Sequence, residues 1–144
     1  MSTLENMVRE YLAAFEDRDV EKILSFFAPD ATWITPAGTF RGTAELRRYL
    51  TAEIQMLPSV KITETGMGLV AQGSRVAIEH EIEGPVQGKM CTWLAMCAYE
   101  FSDGKIQRLS TVYDRLSILQ DAADGWLQKR LVSAMVNQAE QGLH

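Results

Sequence analysis

Histidine and cysteine are scarce in this chain of 144 residues, with two of each. His80 and the terminal His144 are the imidazoles and Cys91 and Cys97 the thiols, and no spacing among them matches a zinc or iron site. The triplet Glu79-His80-Glu81 offers three donors in a row. Neighbours on a strand point to opposite faces, so the triplet cannot converge on one ion. Six residues of strand at ~3.3 Å each hold the two cysteines about 20 Å apart, beyond disulfide reach. Free thiols in a reducing compartment are expected. There is no glycine-rich phosphate loop, no Gly-x-Ser-x-Gly elbow and no cysteine beside a histidine. Neither a metal nor an organic cofactor is expected.

An excess of positive charge is also missing. Lys and Arg number 14 against 19 Asp and Glu, a net charge of −5, which disfavours an anionic polymer, so no nucleic-acid partner is expected. The pair Arg47-Arg48 reads as solvated helix surface. No stretch approaches ~18 uninterrupted apolar residues, so no membrane span is expected. The start, Met1-Ser-Thr-Leu-Glu, has no basic segment followed by an apolar run, and a cytoplasmic protein is the expectation. With 47% hydrophobic residues the chain is not of disordered composition. Its length fits one domain able to bury roughly 68–70% of its unfolded surface.

Periodicity supplies the architecture. Leu4, Met7, Val8, Tyr11, Leu12 and Phe15 recur at helical spacing up to the polar break at Asp17-Arg-Asp19. Asp19 can cap a short second helix with Val20, Ile23, Leu24 and Phe27 on its apolar side, stopped by Pro29. Thr32-Trp33-Ile34-Thr35 reads as a strand closed by the turn Pro36-Ala-Gly38. A third helix enters at Gly42-Thr43, with Thr43 as cap, Glu45 near the positive end, a buried stripe of Leu46, Tyr49, Leu50 and Ile54, and Pro58 beyond. Four strand-like runs follow near 59–70, 75–83, 90–101 and 105–113, split by Gln72-Gly73-Ser74, by Gly84 to Gly88 and by Ser102-Asp103-Gly104. Short connections imply antiparallel pairing, and Gly66 and Gly68 suggest a bulge or bend. From Asp114 the pattern is helical again, with Trp126, Leu127, Leu131, Ala134, Met135 and Gln138 on one side. That side either covers the sheet or meets another subunit. Helices followed by antiparallel strands describe an α+β domain, and a curled sheet around a helix leaves an apolar cavity at its open end.

Four stretches resemble the nuclear transport factor 2-like superfamily, in particular its SnoaL-like and ketosteroid isomerase-like domains. They are Tyr11-Leu-Ala-Ala-Phe15, Phe26-Phe27-Ala-Pro-Asp30-Ala-Thr-Trp33, Gly42-Thr-Ala-Glu-Leu-Arg-Arg-Tyr49, and Asp103-Gly-Lys-Ile106 running into Tyr113-Asp114-Arg-Leu-Ser-Ile-Leu-Gln120. The resemblance implies a cone-shaped, cystatin-like α+β roll over residues 1–120, with 121–144 a C-terminal helical extension of the same domain, and a homodimer. It also implies where reactive groups would stand. Tyr11 matches the oxyanion-hole tyrosine of ketosteroid isomerases, but their base falls at Thr35 and their second donor near Cys97. For limonene epoxide hydrolase the arginine position falls at His80 and the two carboxylates at Ile82 and Thr111. The His-Trp pair usual in SnoaL-like cyclases falls at Leu109 and Ser110, while their aspartate corresponds to Asp114. A threonine does not ionise near neutral pH and a thiol is a poor donor, so steroid isomerisation by the known route is not expected.

The residues left to do chemistry are few. His80 alternates with Ile78 and Ile82 on the apolar face of its strand, where an imidazole can act as acid or base or sit as a neutral core side chain. Tyr11 either donates to a substrate carbonyl or is a core aromatic, and Asp114 is either an acid/base or a helix cap. Trp33, Trp93 and Met96 either wall a ligand or pack the core, and Thr35, Cys97, Thr111 and Tyr113 offer polar contacts to substrate. The expected activity is a cofactor-independent isomerase, cyclase or hydratase acting on a small, mostly apolar carbonyl or polyketide-like molecule, with His80, Tyr11 and Asp114 as catalytic candidates. The alternative is a non-catalytic module of the same fold that binds a small hydrophobic ligand or dimerises.

Overall fold

The computed structural model describes residues 3–123, 125–139 and 141, so a role for His144 lies outside the described residues. The order is α1 (Thr3–Glu16), α2 (Val20–Leu24), β1 (Phe27–Thr35), β2 (Gly38–Arg41), α3 (Gly42–Met56), β3 (Lys61–Gln72), β4 (Arg75–Val86), β5 (Lys89–Ser102), β6 (Lys105–Tyr113), α4 (Arg115–Ala122) and α5 (Trp126–Ala139). This is the α+β class, with six strands in the order β2-β1-β6-β5-β4-β3 and the helices α1 to α3 against one face. All neighbours run antiparallel except β1 and β6, which are parallel. The short connections of the later strands could not reveal that pair, because β1 reaches β6 only after the whole meander has been laid down.

The core forms where α1 and α3 lie on the sheet. Val8, Ala14, Leu46 and Leu50 from the helices meet Ile78, Tyr99, Ile106 and Leu109 from the strands, all essentially shut from solvent. Tyr11 is the hub of the aromatic packing, with ring centroids 5.7–6.1 Å from Phe15, Phe26, Phe27 and Tyr99. Such pairs add about 0.5–1.5 kcal/mol each beyond the area they bury. At the other end of α1, Arg18 stacks over Phe15 and donates from Nε and Nη2 to the Leu57 carbonyl at the C-terminus of α3. A cation there satisfies an orphan carbonyl and complements the negative helix end.

Several local expectations are corrected. Asp19 does cap α2, accepting from Lys22 N–H, but α2 ends at Leu24 and Phe27 opens β1. Pro29 lies inside β1, within the register shift between Phe27 and Thr32 where no ladder donor is needed. The turn after Thr35 returns as the short strand β2. Thr43 is not the cap of α3; the Glu45 carboxylate instead accepts the Arg41 N–H at 2.7 Å, which satisfies the helix entry from within. Strand β4 continues through Gly84 and Pro85 to Val86, beyond the last β3 partner at Glu83, so Pro85 occupies an open edge. Gly66 (φ +55°) and Gly68 (φ +63°) fall in the register shift of β3 between Glu64 and Leu69, the bend anticipated from their spacing.

The outer sheet face and α5 carry exposed apolar side chains. Met96 points outward and is 42% exposed, since it alternates with the inward Ala95 and Cys97, and so it is not part of the lining of the inner cavity. Of α5 only Val132 is buried, while Trp126 is 71% exposed. Helix α5 packs on α4 and leaves the sheet uncovered. No helix among the described residues is long and apolar enough to cross a membrane.

One close approach is testable. A Cβ on Gly84 would lie 2.8 Å from the Ser59 carbonyl oxygen and 2.9 Å from Leu57 Cδ1. Backbone cannot yield as a side chain tip can. Gly84→Ala is therefore expected to cost about 1–3 kcal/mol of stability in urea denaturation, by pushing β4 away from the segment that follows α3.

Candidate functional site

Sheet register determines where the hollow forms. His80 on β4 pairs with Ala95 on β5, which pairs with Tyr113 on β6; the next inward row is Ile78, Cys97 and Thr111. Small side chains at 95 and 97 on the middle strand leave volume that the helices do not fill. The result is a cavity of about 410 Å³, mostly apolar, bounded by α1, β1, α3, β3, β4, β5, β6 and α4, within the range of small-molecule pockets. Its walls include Phe15, Trp33, Tyr49, Ile82, Trp93 and Ile118.

The structure brings most of the sequence candidates to this cavity. Tyr11, Trp33, His80, Trp93, Cys97, Thr111 and Tyr113 all line it. His80 is 2% exposed, and its Nδ1 has no hydrogen-bond partner among the described residues. Burial lowers its basicity and the Ile78 backbone only partly offsets this, so the ring is neutral near pH 7. Tyr11 is pushed well above 10 by burial, and by the nearby Cys97 and Glu53, and is a permanently neutral phenol. The Thr111 hydroxyl accepts from Trp33 Nε1 at 3.0 Å and lies 3.4 Å from Cys97 Sγ, which fixes the indole against the strand. Burial holds that thiol up to about 11, so it is not a thiolate.

Two candidates stand elsewhere. Thr35 is buried but uses its hydroxyl in the β1–β2 turn, accepting from Ala37 N–H and donating to the Gly38 carbonyl, and it is not among the residues lining the cavity. Asp114 caps α4, accepting from Leu116 and Ser117 N–H at 3.0 and 3.2 Å. Its exposed carboxylate is outside the cavity lining. The alternative reading as a cap thus describes its side chain.

Glu53 was missed. It lies four residues after Tyr49 and three after Leu50 on α3, half-buried as Ile54 is, and lines the cavity. Its Oε2 is sealed from solvent with no hydrogen-bond partner among the described residues. Burial raises its carboxyl from 4.5 to about 7, with Arg18 pulling the other way. Extending the stripe strictly by i, i+3 and i+4 from Tyr49 and Leu50 exposes it as an acid on an apolar face. No group of three or more His, Cys, Asp and Glu side chains among the described residues is placed to hold a metal ion.

Comparison with known proteins agrees with this architecture. The SnoaL-like domain pattern matches residues 8–109. No curated protein matches the sequence. Among solved structures, TerC co-crystallised with polyporic acid is 24% identical with a TM-score of 0.74, covering 85% of this chain and 100% of that one. A nuclear transport factor 2-like protein of unknown function from Burkholderia pseudomallei is 20% identical with a TM-score of 0.77, covering 86% and 100%. Another such protein from Burkholderia xenovorans is 28% identical with a TM-score of 0.66, covering 85% and 98%.

A buried acid raised above its unfolded value binds its proton more tightly in the folded state. The stability from Glu53 is therefore fully present below about pH 4.5 and is lost as pH rises toward about 7, by up to roughly 3 kcal/mol. His80, whose basicity is lowered, acts oppositely: its contribution is present above the unfolded imidazole value and is lost as pH falls through its depressed folded value. Urea denaturation at about pH 5 and about pH 8 is expected to show Glu53→Gln gaining stability over the parent only at the higher pH. An equal difference at both would show that the carboxyl is not desolvated.

Proposed function

Since the chain belongs to the SnoaL-like domain family, we propose that it is a cofactor-independent isomerase, cyclase or hydratase that moves a proton on a small, mostly apolar carbonyl or polyketide-like molecule. The observation that carries this reading is a buried imidazole on the wall of an apolar cavity. A neutral imidazole there can accept a proton from a substrate C–H or O–H. Tyr11, held neutral, donates a hydrogen bond to the carbonyl oxygen, while Trp33 and Trp93 give the ligand apolar wall. The carboxylate positions of the better-known relatives are occupied by Thr35, Ile82 and Thr111, so proton transfer falls to other side chains. TerC was co-crystallised with polyporic acid, in keeping with a small-molecule ligand in such a cavity.

The test uses 2-tetralone, a bicyclic ketone with acidic α-protons. The protein is expected to accelerate exchange of those protons in deuterated water, followed by proton NMR, and His80→Gln to reduce the acceleration by about 10²–10⁴-fold. Binding of the ketone without any acceleration would move the reading to a ligand-binding module.

A second reading is favoured by a separate observation. Leu94, Met96 and Val112 are 54%, 42% and 61% exposed on the outer face of β5 and β6, an apolar patch of the kind that marks an interface. On this reading the sheet pairs with a second copy, as a homodimer, whether or not the cavity is catalytic. Leu94→Glu combined with Val112→Glu is expected to halve the mass seen by light scattering while leaving the circular dichroism spectrum unchanged. A parent protein already monomeric at micromolar concentration would end that reading.

A further inference from the structure

Glu53 is a carboxylic acid on the wall of an apolar cavity, with Arg18 as the cation acting on it. An unpaired buried oxygen costs about 1–3 kcal/mol, and Leu46 and Leu50 on the same helix show that the stripe is otherwise apolar. The carboxyl stands on the helix wall of the cavity, whereas His80 stands on the sheet wall, and each has an atom without a partner among the described residues. The groups that act on Glu53, or that feel its charge, come from several walls: Arg18 from the turn after α1, Tyr11 from α1, Tyr49 from α3 itself, Cys97 from β5 and Tyr113 from β6. Arg18 is the cation in that set, and its Nε and Nη2 are engaged by the Leu57 carbonyl. On the sheet side, the register partner Glu64 is tied to Arg9 at 2.8 Å and is not part of the cavity lining.

We propose that Glu53 is a catalytic residue of this site, delivering a proton to a substrate oxygen from the helix wall while His80 withdraws one from the sheet wall. The proposal rests on the enzymatic reading above and names its substrate class: an apolar molecule with an enolisable carbonyl, small enough for the hollow. The step balances without any redox partner. The His80 ring, which lines the cavity, takes the proton from the carbon beside the carbonyl, and the C–H pair becomes the C=C bond. The carbonyl π pair then takes the proton from Glu53, giving a neutral enol, an imidazolium and a carboxylate. Protein and product regain their starting protonation by exchange with water at the cavity mouth.

Acidity supports this direction of transfer over its reverse. Glu53 is raised to about 7 and so is substantially protonated near neutrality, whereas His80 is lowered and so is neutral. A protonated acid facing a neutral base is then the prevailing form between the two values, and the opposite charge state is rare. Tyr11 keeps its proton throughout and serves as a hydrogen-bond donor.

The experiment follows exchange of 2-tetralone α-protons across pH, together with a substrate-free titration of carboxyl carbons by ¹³C NMR in glutamate-labelled protein. A bell-shaped profile is expected, with an acid limb from His80 and an alkaline limb near 7 from Glu53. Glu53→Gln, which keeps the shape but has no proton to give, should lose about 10²–10⁴-fold in rate together with the alkaline limb, while ketone affinity changes only several-fold. Glu53→Asp should recover part of the rate, and Arg18→Gln should move the alkaline limb upward, because the nearby cation holds the carboxyl down. In the titration, one carboxyl resonance should have a midpoint near 7 and be missing from Glu53→Gln. A midpoint in the ordinary carboxylate range would overturn the proposal. So would a Glu53→Gln protein that exchanges the ketone within threefold of the parent and keeps the alkaline limb, a result that leaves the enzymatic reading standing. Absence of exchange by the parent at every pH removes both.

Discussion

Desolvation of polar atoms by a hollow that the fold cannot fill is the constraint from which the rest of this structure follows. The sheet buries one face against α1 and α3, but Ala95 and Cys97 on its middle strand are too small to reach the helices. Any titratable group that faces the hollow pays for lost hydration through its pKa: His80 is driven toward the neutral base, Glu53 toward the neutral acid, Tyr11 toward the neutral phenol. One physical cause thus moves all three toward their uncharged forms, and places an acid and a base in the same cavity with their proton inventories reversed from those in water.

The same packing makes the site rigid. Tyr11 is held by four aromatic neighbours, and Trp33 is pinned between Phe27, Tyr49 and the Thr111 hydroxyl. Arg18 ties the turn after α1 to the end of α3, so the helix bearing Glu53 cannot slide along the helix bearing Tyr11 without breaking its bonds to Leu57. Orientation of this kind contributes to catalysis by limiting the geometries a bound molecule can take. It also explains why Arg18, with a positive φ of 58°, sits where a glycine would be more comfortable: its guanidinium holds two elements together.

Much of this was legible in the sequence, for physical reasons that can be named. Alternation of Ile78, His80 and Ile82 placed the imidazole on the buried face, because a strand's two-residue period leaves no other arrangement once one face is covered. Helical spacing put Tyr11 inward, and Asp103-Gly104, both with φ above zero, made the β5–β6 hairpin as that dipeptide does. The parallel contact of β1 with β6, the strand β2 and the passage of β4 through Pro85 were not legible, since each depends on partners distant along the chain. Glu53 was a different kind of failure. Its position on the stripe was readable, but an acid in an apolar pattern is ordinarily read as the edge of the polar face, and only the folded structure shows that its Oε2 is sealed without a partner among the described residues.

That relocation of the carboxyl bears on how such a domain keeps or changes its chemistry. At the positions where relatives hold acids or an arginine on the sheet, this chain has Thr35, Ile82, His80 and Thr111, three of which line the cavity. An acid on the sheet would share a wall with His80, and two charges in one desolvated wall would tend to pair and neutralise each other's reactivity. Glu53 on α3 and His80 on β4 instead line the cavity from different walls. An acid on one wall and an imidazole on another suit the cavity to ligands that carry polar atoms at two separated points on an otherwise apolar body.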